Sequence, residues 1–341
     1  MIRLACDYQE GCHPKILEKL IATNLESTVG YGFDPYCESA KAKIREACQA
    51  PEAEVFFLVG GTQTNSTVIR SILRPCEGVI AVTSGHINGH EAGAIEFGGH
   101  KVLTIPAHDG KMRAQDLEHF IKTTFADASF EHGVIPAMVY ISQSTETGSV
   151  YSLAELTAIS EIAHRHDMPL FIDGARLGYG LASEGCDVTL ADIARLADVF
   201  YIGGTKVGAL LGEAVVFTNH AYTKHFFTIQ KQSGAVLAKG RVIGIQFDVL
   251  FTDDLYMQIS RHAVAMAMKL KNALKDKGYR FYSDSPSNQQ FVIVENEKLK
   301  ELEKQVQVSH WCIVDDTHTA IRLCTSWATT EETINQVIEL L

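Results

Sequence analysis

Several things are missing from this 341-residue chain, and each absence removes a class of function. No two of its eight cysteines, Cys6, Cys12, Cys37, Cys48, Cys76, Cys186, Cys312 and Cys324, stand in a Cys-x-x-Cys spacing. That argues against a zinc knuckle or a dithiol redox site and leaves free thiols, as in a reducing cytoplasm. Basic clusters are missing too. The 30 Lys and Arg against 41 Asp and Glu give a formal charge of −11, a poor match for nucleic acid or an anionic membrane. No apolar run approaches the roughly 18 residues of a membrane span, and "MIRLACDYQEGCHP" has no basic stretch leading into an apolar core. Neither a P-loop nor a dinucleotide fingerprint is found: Thr205 precedes Lys206 instead of following it, and no Gly-x-Gly-x-x-Gly opens a helix after a strand.

What is present is alternation. Short runs rich in Val, Ile, Phe and Tyr predict strands at 55–59, 79–82, 101–105, 137–142, 169–173, 199–203 and 214–217. Amphipathic segments lie between most of them. The clearest, 152–166, opens on a Ser152–Glu155 capping box. Apolar strands alternating with helices predict an α/β fold with a mostly parallel sheet covered on both faces. From about residue 245 the pattern changes to one long helix stopped at Gly278, four short strands, and a last helix behind a Thr329–Glu332 capping box. The division expected is a large domain over 1–248 and a small α+β domain over 249–341.

Ligands bind at the ends of strands in such sheets, which singles out "YIGGTKVGALLGE". Its Lys206 follows an apolar strand and is flanked by small residues. Such a lysine is either a surface turn residue or a covalent catalyst, whose amine forms a Schiff base when burial or a nearby cation keeps its pKa low. Pyridoxal phosphate is the commonest partner, and it needs further groups. Asp173, in "FIDGARL", lies 33 residues earlier at another strand end and can face the ring nitrogen; otherwise it is an ordinary turn aspartate. The Gly60-Gly61-Thr62 turn ahead of a helix can cradle a phosphate through backbone N–H groups, with Thr62 or Gln63 adding side-chain bonds, or it is merely a strand-to-helix turn. His86 or His90 can stack on the ring and relay a proton; the alternative for His86, His90 and Glu91 is a metal site, set back by the helix-weakening Gly85 and Gly89. Arg176 and Arg322 can grip a substrate carboxylate.

Taken in order, strand–Gly-Gly-Thr, "SGHINGHEAGAIEFGGHKV", "FIDGARL", "GGTKVG" and "AIRLCTSW" resemble the threonine aldolase / aromatic β-eliminating lyase family. The resemblance runs from "CDYQEGCHP" through "GYGFDP" to the final helix, essentially the whole chain. It implies an aspartate-aminotransferase-type fold (fold type I), a seven-stranded large-domain sheet and pyridoxal 5'-phosphate as cofactor. It further implies that Lys206 carries the cofactor, Asp173 pairs with the pyridine nitrogen and His86 stacks on the ring. Gly61, Thr62 and Thr205 would hold the phosphate, and Arg176 and Arg322 the substrate carboxylate. A homodimer or homotetramer with shared sites is implied, with Tyr31 reaching the partner's site and Lys239 serving the partner's phosphate. The activity implied is cleavage of an L-β-hydroxy-α-amino acid to glycine and an aldehyde, with His86, or His90 through a water, as base. The alternatives are β-elimination and an idle binding protein.

The chain also departs from that family's pattern. It has "YISQSTETG", with Ser144, Thr145 and Glu146, where many members have an Asn-Thr-His-Asn-like stretch, and Thr205 where the typical residue is Ser. Ser326 stands in place of a His, and Cys6, near the substrate, in place of a Ser. These departures fall on the part that meets the β-substituent.

Overall fold

The computed structural model describes residues 1–341. Seven strands form one sheet in the spatial order Glu54–Leu58, Glu213–Phe217, Val199–Gly203, Leu170–Asp173, Ile135–Ser142, Glu77–Val82, Lys101–Ile105. All neighbours run parallel except Glu213–Phe217, which is antiparallel to both strands beside it. Each strand lies within one or two residues of a run the sequence predicts. The reason the strands read as continuous apolar runs is now visible. Alternate residues enter two different cores: Ile141, Ile172, Phe200 and Val216 on one face, Tyr140, Phe171, Tyr201 and Phe217 on the other. A sheet buried on both faces has no polar side to alternate with.

The helices between the strands follow their caps. Leu153–Arg165 begins behind Ser152, whose capping box with Glu155 is formed. The long helix Leu255–Asp276 ends before Gly278, which takes the left-handed conformation (φ 78°) that glycine tolerates. The last helix, Glu331–Leu340, is capped by Thr330 onto the Thr333 N–H, one residue later than the Thr329–Glu332 box predicts.

A second, antiparallel sheet joins Ser309–Ile313, His318–Cys324, Gln289–Glu295 and Arg280–Ser283. Its core includes Leu270, Leu274, Val292, Leu323 and Leu4. The N-terminal strand Ile2–Arg3 pairs with Val306–Gln307, so the chain's start is built into the smaller lobe. Residue 248 falls inside the helix Arg241–Leu250, so no linker separates the lobes there. No helix is long and apolar enough to cross a membrane, and all eight cysteines are unpaired.

Candidate active site

The carboxyl ends of the parallel strands converge on a cavity of about 280 Å³. Four connections deliver its lining. Gly60, Gly61 and Thr62 follow the Glu54–Leu58 strand, His86 follows Glu77–Val82, Asp173 ends Leu170–Asp173, and Lys206 lies just past Val199–Gly203. Glu213 reaches the same edge because the one antiparallel strand starts there. Glu213 stands at a strand start, and no local pattern in the sequence marks such a position as part of a site.

Lys206 Nζ forms neither a hydrogen bond nor an ion pair. Burial, and then the Arg176 guanidinium, push its pKa down, opposed by Asp7, Asp173 and Glu213. Asp173 is held by four donors. Oδ1 accepts from Tyr201 Oη (2.6 Å) and Ala175 N (2.9 Å), Oδ2 from Tyr140 Oη (2.5 Å) and Asn65 Nδ2 (3.0 Å). Burial alone would raise its pKa, but His86 and the two tyrosine hydroxyls outweigh it and hold the group ionised. These four bonds use the acceptor sites of a carboxylate, so an N–H entering the cavity competes with Tyr201, the donor that lines it.

The helix Gly61–Ile72 begins at the cavity with no side-chain cap, leaving its first-turn N–H groups open to an anion. A Cβ on Gly60 would meet nothing within 4 Å. His86 lies across the cavity. Its Nδ1 is 2.7 Å from Glu91 Oε1, and because a carboxylate only accepts, Nδ1 carries the proton. Burial lowers the His86 pKa, but the bond to Glu91 and the charge of Asp173 raise it further. Glu91 Oε1 also accepts from Asn65 Nδ2 (2.7 Å). No three His, Cys, Asp or Glu side chains are grouped to hold a metal ion; Glu91 Oε1 is engaged by His86 and Asn65, and His90 is exposed.

Other expected residues are placed differently. Gln63 turns its Oε1 back to the Val59 N–H (3.2 Å) and lies outside the cavity lining. Thr205 donates its single hydroxyl proton to Glu213 Oε1 (2.9 Å), leaving none for a phosphate while that bond lasts. Arg176 lines the cavity, but two of its nitrogens grip Asp7, at 2.7 and 3.0 Å. Arg322 lies outside the lining and donates to Gln289 Oε1 and Ala5 O, while its buried Nε lacks an acceptor. Cys6 lies outside the lining as well, where its neighbour Tyr8 contributes instead. Tyr31 and Lys239 are exposed and also lie outside it, Tyr31 beneath the Lys231 ammonium (4.8 Å).

An amine of lowered pKa at the carboxyl edge of this sheet, facing a buried carboxylate and an open helix N-terminus, is the layout of an aspartate-aminotransferase-type fold. An aspartate aminotransferase of Thermus thermophilus superposes over 100% of this chain and 90% of its own, with a TM-score of 0.73 at 18% identity, which establishes the shared fold. The chain belongs to the beta-eliminating lyase family, whose sequence model matches residues 4–297. It is 31% identical to a low specificity L-threonine aldolase of Pseudomonas sp. over 278 residues, 80% of this chain and 78% of that protein. A threonine aldolase of Leishmania major superposes with a TM-score of 0.97 at 43% identity, covering 100% of this chain and 98% of that one.

Pyridoxal 5'-phosphate is the cofactor of this family, and the residues present fit it. The cavity offers an unpaired lysine amine, an ionised carboxylate behind it and open backbone N–H groups beside a glycine. Ser144, which lines the cavity, and Asn65, behind it, each carry a buried oxygen with no partner in the chain.

Proposed function

We propose that this enzyme cleaves the Cα–Cβ bond of an L-β-hydroxy-α-amino acid of the L-threonine or L-allo-threonine type, yielding glycine and an aldehyde. The observation that carries the reading is the full-length match to the Leishmania threonine aldolase, together with a lysine at the strand end where the chemistry needs an amine. When bound, pyridoxal phosphate supplies an electron sink for the pair released at Cα.

The chain's own residues divide the remaining work. Lys206, whose pKa burial and Arg176 push down, is the amine that would hold the cofactor's aldehyde. Asp173 keeps a negative charge where the ring nitrogen would lie, and His86 would cover a ring face. The N–H groups of Gly61 and Thr62 would bind the phosphate. The substrate carboxylate is a partner for Arg176, whose position Asp7 fixes, and for Arg322 once its guanidinium turns from Gln289 and Ala5 into the cavity. Gripping that carboxylate sets which bond at Cα aligns for cleavage, and alignment is a large share of the barrier. Assembly is part of the proposal: Tyr31 and Lys239, exposed and outside their own chain's cavity, are suited to complete the site of a second copy in a homodimer or homotetramer.

The reverse reaction tests the reading. Loaded enzyme given glycine and acetaldehyde should form threonine, detected by chromatography. A protein that forms none, yet releases ammonia from serine or threonine, is an eliminating lyase instead.

A further inference from the structure

A third carboxylate, besides Asp173 and Glu213, lines the cavity. Glu146 lies in the loop after the Ile135–Ser142 strand, half-buried. Its Oε1 is fixed by two donors, Ser142 Oγ at 2.7 Å and the backbone N–H of His86 at 3.0 Å. Its Oε2 has no donor in the chain, and it is not among the sealed, unpartnered polar atoms. One oxygen is therefore anchored while the other is free to take a proton in the cavity.

The other candidate bases are less suited. His86 already carries its Nδ1 proton toward Glu91, and Asp173 beyond it favours the charged ring. With Nδ1 committed to Glu91, His86 has only Nε2 left to accept a proton. His90 is exposed and does not line the cavity. Asp173 has its acceptor sites filled, and Glu213 is bonded through both oxygens, to Thr205 Oγ1 and the Gly204 N–H.

We propose that Glu146 is a catalytic residue, the base that accepts the substrate's β-hydroxyl proton during Cα–Cβ cleavage. The inference rests on the aldolase reading above. As the O–H bond breaks, its proton passes to Glu146 Oε2 and its electron pair forms the carbonyl of the departing aldehyde. The Cα–Cβ bond breaks, its pair stays with Cα, and a proton added there completes glycine. One proton leaves the hydroxyl and one enters at Cα, so solvent exchange alone resets the carboxyl. Burial raises the pKa of Glu146 above the ordinary carboxylate value; the Ser142 hydroxyl opposes this, Asp173 adds to it and His86 lowers it again. Tyr140 and Tyr151 also lie within range of its charge. A base with a raised pKa is a stronger acceptor near neutral pH.

The test compares wild type, E146Q and E146D, all loaded with cofactor, in two reactions. One is aldehyde release from L-threonine. The other is exchange of the glycine Cα proton in D2O, followed by NMR, which involves no hydroxyl. For E146Q, aldehyde release should fall on the order of 10²–10⁴-fold, the usual size of a lost general base. Glycine exchange and the bound-cofactor spectrum should stay within threefold of wild type, with E146D intermediate. E146Q that cleaves within threefold of wild type refutes the role of Glu146 and leaves the aldolase reading intact. Parallel loss of both reactions assigns Glu146 a merely structural part. Wild type that exchanges glycine but releases no aldehyde overturns the aldolase reading itself. Should E146Q not fold, S142A gives a second readout. Losing that donor raises the carboxyl pKa, so the acid limb of kcat against pH should move upward. An unmoved limb contradicts the proposal.

Discussion

At the scale of single residues, the site is a set of charges held in chosen states. Lys206 and Asp173 were legible in the sequence because each ends an apolar strand, where a charged group stands out. Tyr140, Tyr201 and Asn65 were not. The tyrosines read as ordinary strand formers, and only the folded sheet points their hydroxyls at the Asp173 carboxylate. Asp173 and Glu146 are given different tasks, and substitution separates them. Asp173→Asn should lower kcat for every cofactor-dependent reaction of the enzyme, aldehyde release and glycine exchange alike, on the order of 10²–10³-fold. Measured cofactor affinity should change far less. Retention of kcat within threefold would mean the Asp173 charge is not used.

At the scale of elements, the antiparallel strand Glu213–Phe217 is the informative one. Its apolar run was readable, but its direction was not, since composition carries no sign of which way a strand runs. Its direction brings Glu213 to the site edge, 3% exposed, against Thr205. Burial pushes the Glu213 pKa from 4.5 up to about 8, against the pull of Thr205 and Lys206. A carboxyl raised by folding favours the native state at low pH, and that contribution is lost as pH rises from about 4.5 through about 8. Glu213→Gln cannot ionise. In thermal melts of the cofactor-free protein, the variant should therefore gain on wild type between pH 5 and pH 8.5. An equal offset at both pH values would contradict this. When protonated, Glu213 can itself donate to Thr205, which frees the threonine proton for an anion.

At the scale of the molecule, the N-terminal segment ties the two sheets together, which no local pattern announces. Asp7, fully buried, receives Arg176 from the turn after the large sheet's Leu170–Asp173 strand and Asn288 (2.9 Å) from just before the small sheet's Gln289–Glu295 strand. The Asp7–Arg176 contact spans 169 residues of sequence, so the pair could not be read from spacing, although both strand sets could. Removing one partner of a buried pair leaves the other uncompensated, so Asp7→Ala should cost about 3–5 kcal/mol of stability in denaturant unfolding. A loss under about 1 kcal/mol, the worth of an exposed pair, would show that the tie is not needed. Burial would raise the Asp7 pKa, but Arg176 and Lys206 hold it at about 2, below its usual 3.8. The stability it adds is therefore full above about 3.8 and lost as pH falls toward about 2.

The central chemical event is cleavage of the Cα–Cβ bond. The most direct measurement is product analysis of the cofactor-loaded enzyme with L-threonine and, separately, L-allo-threonine. Acetaldehyde and glycine in equal amounts, with no ammonia, is the predicted result. Ammonia and 2-oxobutanoate without acetaldehyde would contradict it and make the enzyme an eliminating lyase.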